Sequence, residues 1–427
     1  MARAVDRAST VPMSEARPGD RAGDPASEGE RVRCCIAGCG PAGAMLGLLL
    51  ARRGVDVLVL EKHGDFFRDF RGDTIHPSTL RIMDELGLAD RLLQLPHTKA
   101  PALTLQTPQG LVTLADFRRL RTRWPYVAFL PQWDFLDFIT AEAKRHPSFR
   151  LLMGAEVQDL IEEGGVVRGV RYRAPDGRHD VRAHLTVAAD GRSSTVRERA
   201  GLVPLETSPP MDVLWFRLSR RPDDPEEPFF CVGGGHIFLF INRRDYWQVA
   251  YVIPKGADER VRAAGLDAFR RSIGQLAPHV ADRTGELEDW DQVKLLVVQA
   301  NRLRRWYRPG LLCIGDAAHA MSPVGGVGIN LAIQDAVVAA NVLAGPLQAG
   351  RLRVGDLAMV QRRREWPTRV IQALQSTVQR RLTAAVLGGG GPPALPAPVR
   401  ALAHLPPLRA LPARLIAFGV WPVHVRE

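Results

Sequence analysis

The sequence predicts an α/β fold: a parallel sheet extended by a β-meander, an antiparallel sheet inserted into it, and helices towards the C-terminal end. Three observations lead there. An apolar run at residues 32–37 meets the turn Gly38-Cys39-Gly40-Pro41-Ala42-Gly43, and one helix length later a second run at 55–60 ends in Glu61. Two more strand-like runs, at 181–188 and 311–314, lead into Asp190-Gly191 and Gly315-Asp316. Between those two, residues 211–290 carry aromatics on short strand-like segments.

Taken in order, residues 1–30 are rich in Arg, Asp, Glu, Pro, Gly and Ser and have no apolar core, the composition of a disordered tail rather than of a signal peptide. Residues 32–61 read as strand, glycine turn, helix, strand and carboxylate, a dinucleotide-binding βαβ fingerprint. Gly38 allows the tight turn, Gly40 lets the backbone approach a pyrophosphate, and Gly43 lets the helix pack on the sheet. The helix start offers unpaired N–H groups, and Glu61 stands where a carboxylate accepts from a ribose.

A helix is expected from about Ser78, introduced by Pro77 and stopped near Gly87. Strand-like pieces follow at 103–105 and 111–114, and Pro131-Gln132-Trp133-Asp134 opens another helix. Strands 151–161, 166–173 and 181–188, joined through Gly164-Gly165 and Asp176-Gly177, form the meander. A helix starts at Ser193-Ser194-Thr195, with Asp190 a candidate N-cap. Strands near 213–218, 236–241 and 246–253 and a helix near 266–276 make the inserted sheet, apolar on one face. After the strand at 311–314 comes a Pro/Gly loop, then a helix from Gly328 with Leu331, Val338 and Leu343 on its apolar side. A helix over 354–382 should be kinked or split by Pro367. Residues 386–427 are rich in Pro, Leu and Arg and are assigned no element; they suit packing back on the body, a dimer contact or a membrane surface. The expected division is one discontinuous domain of 31–95, 125–208 and 292–385, with a second of 96–124 and 209–291.

The chain of 427 residues is long enough for two domains with sizeable cores. Its net charge of +11 raises the question of nucleic acid, but only five of the 57 basic residues are lysines and the arginines are scattered. No basic stripe interleaved with aromatics is present, so no nucleic-acid partner is expected; the positive field favours anionic small molecules. Five cysteines show no metal-ligand spacing, so no metal is expected, and an odd count without a framework suits a reducing cytoplasm. The uncharged stretch 34–51 has the length of a membrane span, but its glycines and proline fit strand–turn–helix, so no transmembrane segment is expected.

Gly38-Cys-Gly-Pro-Ala-Gly43 with Glu61, Ala189-Asp190-Gly191, and Gly315-Asp316-Ala-Ala-His319 with Pro323 and residues 325–330 resemble, in that order, three motifs of one family. These are the FAD-dependent aromatic hydroxylases, single-component flavin monooxygenases of the p-hydroxybenzoate hydroxylase type, and the resemblance covers residues 32–382. It implies a Rossmann-like FAD-binding domain with an inserted substrate domain. It places FAD against Gly38, Gly40, Pro41, Ala42, Gly43, Glu61, Lys62 and Val157. It further implies Arg71 at the pyrophosphate, Gln132 and Asp316 at the ribityl chain, and Asp190 and Gly191 near the cofactor. Gly326, Gly328, Ile329 and Asn330 would offer backbone N–H groups to the ribityl phosphate or the pyrimidine edge of the flavin. His319 is expected as a packed residue orienting Asp316.

Only one dinucleotide fingerprint exists, since Gly233-Gly234-Gly235 and residues 388–391 lack the strand–turn–helix setting. In such a family NAD(P)H is a transient reductant while FAD stays. The resemblance implies an NAD(P)H- and O2-dependent monooxygenase. It would hydroxylate or epoxidise an aromatic, quinone-like or polyketide-like small molecule through a flavin hydroperoxide. Pro323 would lie over the reactive flavin edge, as the catalytic loop residue, and Trp215, Phe240 and Tyr246 are candidate substrate contacts. Alternatives on the same scaffold are a halogenase, an isoprenoid-chain reductase or a non-enzymatic escort of prenylated proteins. The halogenase strand Trp-x-Trp-x-Ile-Pro is matched only in Ile253-Pro254.

Overall fold

A computed structural model describes residues 30–67, 74–107, 110–207, 209–233, 236–387 and 409–426. The expected tail up to residue 29, Arg71, and residues 388–408 lie outside the described residues. The opening fingerprint folds as β1 (Glu30–Ala37), α1 (Pro41–Arg52) and β2 (Val57–Glu61). Consecutive residues Cys34, Cys35 and Ile36 are fully buried, as a parallel strand covered on both faces requires. Across the sheet the parallel order is Leu311–Cys313, Gly177–Ala188, β1, β2, Phe149–Met153.

The strand expected at 151–161 is two strands. Gly154, at φ +70°, turns the chain, and its N–H donates to the His63 carbonyl at 2.9 Å. Phe149–Met153 therefore stays beside β2, while Glu156–Glu163 swings into the antiparallel meander with Val166–Ala174 and Gly177–Ala188. Five successive β-type residues resemble one strand until a left-handed glycine reverses them.

The second sheet has seven strands in the order Lys294–Leu296, Met211–Ser219, Tyr246–Pro254, His236–Asn242, Phe229–Gly233, Ala102–Thr107, Gly110–Asp116. Lys294–Leu296, expected in the first domain, pairs here with Val213–Trp215. Phe229–Gly233 was not anticipated; it joins the inserted strands to Ala102–Thr107 by the sheet's parallel pairing. One face packs under the helix Leu266–Leu276 and the 3-10 segment Pro278–Glu286, burying Phe216, Phe238, Phe240, Trp247 and Tyr251 with Phe269 and Ile273. That cover is pinned by a buried ion pair. Arg283 donates to the two Asp224 oxygens at 2.5 and 2.8 Å, and Trp247 Nε1 donates to Oδ2 at 3.0 Å. Burial pushes the Asp224 carboxyl up, but the donors of Arg283, Arg221 and Trp247 outweigh it and hold the group below the usual carboxylate range.

The opposite face carries Val213, Trp215, Leu239, Ile241, Ala250 and Val252 towards Val127 and Phe129 of a small bridging sheet, Thr74–Ile75, Val127–Phe129, Thr98–Ala100. The C-terminal residues close this side. Ala410–Phe418 is a helix, with Pro412 in its first turn where a missing N–H costs no bond. Its Ala413 and Ala417 are buried against the sheet face. His76, pushed down to about 4 by burial and so neutral, donates from Nδ1 to the Ile416 carbonyl at 2.7 Å. Packing back is thus the fate of the described part of this segment.

Two helices complete the first domain. Gly328–Gln348 lies against α1, and of the kink or split expected at Pro367 the split does not occur, Val354–Leu387 running through it as one helix. Buried Arg364, bonded to Asp335 at 2.7 Å, anchors it before the proline, and Thr368 Oγ1 donates to the Arg364 carbonyl at 2.9 Å within the helix, so side-chain bonds hold what one lost backbone bond weakens. Among the described residues one helical stretch, Val324–Gln348, is long and apolar enough to cross a membrane, and 78% of its apolar window is buried inside the molecule.

Candidate functional site

The three motif segments leave the C-terminal ends of neighbouring parallel strands, where α/β sheets bind their ligands. Ala189 N–H donates to the Ala37 carbonyl at 2.8 Å, Ile314 N–H to Ala188 at 3.0 Å, and Gly38 N–H to Leu60 at 2.7 Å. Each turn therefore starts at the C-terminal end of its neighbouring strand. Buried Arg197 adds a side-chain tie, from Nη1 to the Ala317 carbonyl at 3.1 Å and from Nη2 to the Arg192 carbonyl at 2.7 Å.

The glycines differ in what they leave open. Gly38 sits at φ +94°, and a Cβ there would lie 2.5 Å from the Ala189 carbonyl oxygen; on Gly43 it would lie 2.0 Å from that of Gly38. Around Gly40 nothing lies within 4 Å of a Cβ, although its backbone (φ −70°, ψ −175°) suits any residue. That empty cradle, in front of the N–H groups that open α1, is where a pyrophosphate fits. Gly40→Ala is expected to leave the Tm of the FAD-free protein unchanged and to weaken FAD about tenfold or more. Titration of apoprotein with FAD checks this, and an unaltered dissociation constant would place the pyrophosphate elsewhere.

Glu61, the last residue of β2, accepts the Cys39 N–H at 2.9 Å on Oε2 and the His63 N–H at 3.1 Å on Oε1. It braces the glycine turn, and because a carboxylate oxygen accepts more than one bond, a ribose hydroxyl is compatible with that bracing. Lys62 beside it is exposed, and Val157 is buried just beyond the Ala155 N–H bond to the Glu61 carbonyl of 2.8 Å. Gln132 opens the helix Gln132–Ala143, packed on α1.

Asp190 accepts the Val196 N–H on Oδ2 at 3.1 Å, while the N-cap is Ser194, whose hydroxyl accepts from Arg197 N–H at 3.0 Å. The N-cap expected at Asp190 thus falls to Ser194, because Gly191 at φ +88° carries the chain past the aspartate. Burial pushes the Asp190 carboxyl up against the opposing donors of Ser194 and Val196, and its buried Oδ1 has no hydrogen-bond partner among the described residues. An orphaned acceptor beside the open turn fits a hydroxyl or N–H of a bound molecule.

Asp316 is half-buried in the 3-10 turn Gly315–Ala317. His319 does not orient it directly. His319 Nε2 donates to Asp335 Oδ2 at 2.6 Å, and the same oxygen accepts the Gly315 N–H at 3.0 Å. Arg364 Nε donates to Asp335 Oδ1 at 2.7 Å, and all three side chains are almost wholly buried. Sequence reading missed this network. Its one visible signal was Asp335, a lone charge in an otherwise apolar helix that needs a partner.

Gly326 is left-handed, and its carbonyl accepts from Thr74 Oγ1 at 2.7 Å and Asn330 Nδ2 at 3.2 Å. The Asn330 side chain is fully engaged internally, accepting from His76 N–H and Thr79 Oγ1 at 2.9 and 2.7 Å and donating also to the Thr74 carbonyl at 3.0 Å. What this segment offers a ligand is backbone: the N–H groups of Gly328, Ile329 and Asn330 precede the first helical bond, Leu331 to Val327 at 3.0 Å. Pro323 is exposed at the apex of the preceding loop.

Of the candidate substrate contacts, Trp215 belongs to the face packed on the bridging sheet, and Tyr246 shares that face by alternation, lying under the Arg217 guanidinium at 4.9 Å. Phe240 is corrected. It points to the opposite face, among Phe229, Trp247 and His279, because side chains alternate along a strand. Leu239 and Ile241 occupy the bridging-sheet side instead. Among the described residues no group of three or more His, Cys, Asp or Glu is placed to hold a metal.

An open glycine cradle, an orphaned carboxylate oxygen and bare helix N–H groups, gathered at adjacent strand ends beside an apolar sheet face, define a flavin-binding oxidoreductase. A family model described as an FAD binding domain matches residues 31–373. The chain is 34% identical to a 6-methylpretetramide 4-monooxygenase of Streptomyces rimosus, across 94% of this chain and 96% of that protein. It is 26% identical to an uncharacterised aromatic compound monooxygenase of Bacillus subtilis, across 72% of this chain but only 60% of that longer protein. The solved structure of an anhydrotetracycline hydroxylase from Streptomyces rimosus superposes with a TM-score of 0.69 at 25% identity, covering 91% of this chain and 76% of that one. The chain belongs to the FAD-binding-domain family and is an FAD-dependent monooxygenase.

Proposed function

We propose that this enzyme hydroxylates a polycyclic, polyketide-like phenol, taking electrons from NAD(P)H and oxygen from O2. The observation that carries the reading is an apolar sheet face, with Trp215, Leu239, Ile241 and Ala250, packed with Val127 and Phe129 of the bridging sheet, whose Thr74 donates to the Gly326 carbonyl of the third motif. A flat aromatic guest suits such a wall. The likeness to a 6-methylpretetramide 4-monooxygenase over nearly the full length of both chains supports a fused-ring substrate.

In this reading Gly40, Pro41 and Ala42 at the α1 start face the pyrophosphate, with Arg71 beside it, and Glu61 takes the ribose. Lys62 and Val157 border the adenine end. Gln132 and Asp316 meet the ribityl chain, Asp190 and Gly191 flank the cofactor, and the N–H groups of residues 328–330 serve its pyrimidine edge. When bound, FAD supplies the hydride and oxygen chemistry. The chain's own residues orient the guest, exclude water behind the C-terminal helix and present Pro323 to the reacting edge. The discontinuous domain division belongs to the same proposal, as does a cytoplasmic location, which the five buried, unpaired cysteines suit.

Purified protein loaded with FAD is expected to oxidise NAD(P)H faster when a panel of polycyclic phenols is added, with one oxygen atom gained by the product. A panel that leaves the oxidation rate unchanged would sink the substrate class. Asp316→Ala, which removes a charged acceptor worth about 1.5–3 kcal/mol, is expected to weaken FAD roughly ten- to hundredfold. A native FAD dissociation constant in that variant would remove Asp316 from the cofactor.

A further inference from the structure

The long helix Val354–Leu387 carries a row of buried polar side chains at Gln361, Arg364, Thr368, Gln372, Gln375 and Gln379. Steps of three and four residues put them on one face. A buried amide is costly unless it is bonded, so what each reaches is informative. Gln361 accepts the Trp306 N–H at 3.0 Å and donates to the Arg304 carbonyl at 2.8 Å. Gln372 donates to the carbonyls of Asn301 and Ala320 at 2.9 and 3.2 Å. Gln375 donates to those of Ser322 and Val324 at 3.0 and 2.7 Å, and Gln379 donates to the Ser322 hydroxyl. The row thus runs from the backbone of residues 301–306 to that of the third motif and ends on the two residues that flank Pro323.

The loop has few other means of support. Pro323 has no N–H to donate, and its carbonyl is occupied by the Gly326 N–H at 3.0 Å. Val324 N–H reaches only the Ser322 hydroxyl, at 3.2 Å, which Gln379 holds from behind. The far end is pinned separately, through the Gly326 carbonyl, by Thr74 and Asn330. Pro323 itself is exposed. The two carbonyls that Gln375 grips, one on either side of Pro323, therefore tie the loop to the long helix.

We propose that Gln375, backed by Gln379, is a positioning residue that sets the Pro323 loop against the flavin ring. The role of the loop rests on the FAD reading above; the grip on the loop does not. Gln375→Met keeps the volume and removes both donors, and Gln375→Glu turns a carboxylate on two carbonyl oxygens. Gln372→Met is the control, because its bonds end on Asn301 and Ala320, before the loop.

In hydrogen–deuterium exchange of the full chain, the Val324 and Gly326 amides of Gln375→Met are expected to exchange about tenfold faster than in the parent. The visible spectrum of its bound FAD should change, and the peroxide released per NAD(P)H should rise severalfold, with the FAD dissociation constant within about twofold. Gln375→Glu should show larger changes in the same direction, and Gln372→Met should lose stability with a parental flavin spectrum. Parental exchange and spectrum in Gln375→Met would overturn the proposal, as would a spectral change of equal size in Gln372→Met. A parent chain that takes up no FAD would defeat the functional reading instead, and exchange measured on that chain would still report whether Gln375 holds the loop.

Discussion

Replacing Gly38 with alanine is expected to abolish useful FAD binding, weakening it about a hundredfold or more, and to lower Tm as well. The effect has two sources. At φ +94° an L-residue is strained by about 1–2 kcal/mol. The new methyl would also meet backbone, at 2.5 Å from Ala189 O and 2.7 Å from Asp190 Cα, so nothing flexible can give way. Relief requires the first and second motif turns to separate, and they are two walls of the same cleft. The contrast with Gly40 makes the test sharp, since there the methyl enters open space and the apoprotein should be unharmed. Titration with FAD and thermal melts of both variants decide the matter, and a Gly38→Ala protein that binds FAD as the parent does would refute the close approach of these turns.

Asp335→Asn is expected to cost about 3–5 kcal/mol of stability, because it leaves Arg364 buried without its counter-charge. The Gly315 N–H and His319 lose the same anchor, so the Asp316 turn should loosen and FAD affinity fall with it. Replacing both charges with apolar residues of similar size, Asp335→Leu with Arg364→Met, should recover much of the loss of stability. Acid behaviour gives an independent reading. Burial pushes the Asp335 carboxyl up, but His319 and Arg364 outweigh it and hold the group below its ordinary range. A carboxyl depressed in the folded state contributes stability that is present above its unfolded value of about 3.9 and lost as the pH falls from there through the folded value. Denaturant melts of the parent should therefore weaken across that acid window, and those of Asp335→Asn should show a shallower dependence. An equal slope in both would remove Asp335 from the account.

Much of the site was readable because its parts are local. Gly38, Gly40 and Gly43 act through backbone conformation over a few residues, and the turn they make needs no knowledge of the rest of the chain. The same holds for the Asp190-Gly191 turn and the Gly315-Asp316 turn, each at the end of an apolar run. Other features depended on partners far away in the chain. Phe240 looked equal to Trp215 and Tyr246, since all are aromatics in one sheet, and only the register showed that it faces the helix Leu266–Leu276. The strand Phe229–Gly233 was hidden because its neighbour, Ala102–Thr107, lies more than a hundred residues earlier. The glutamines of the long helix were passed over, because nothing in their spacing names the carbonyls of Ser322 and Val324 as their targets.

Residue order by itself determined the strand–turn–helix units, the glycines each requires and the sequence of three motifs, because these follow from φ/ψ limits and hydrophobic periodicity over short spans. Only the tertiary structure decided which face of the inserted sheet packs on the bridging sheet, that Asp335 rather than His319 alone holds the Asp316 turn, and that the C-terminal helix covers that same face. Those are matters of register and of burying charge beside charge, and they exist only once distant segments share one dry interior.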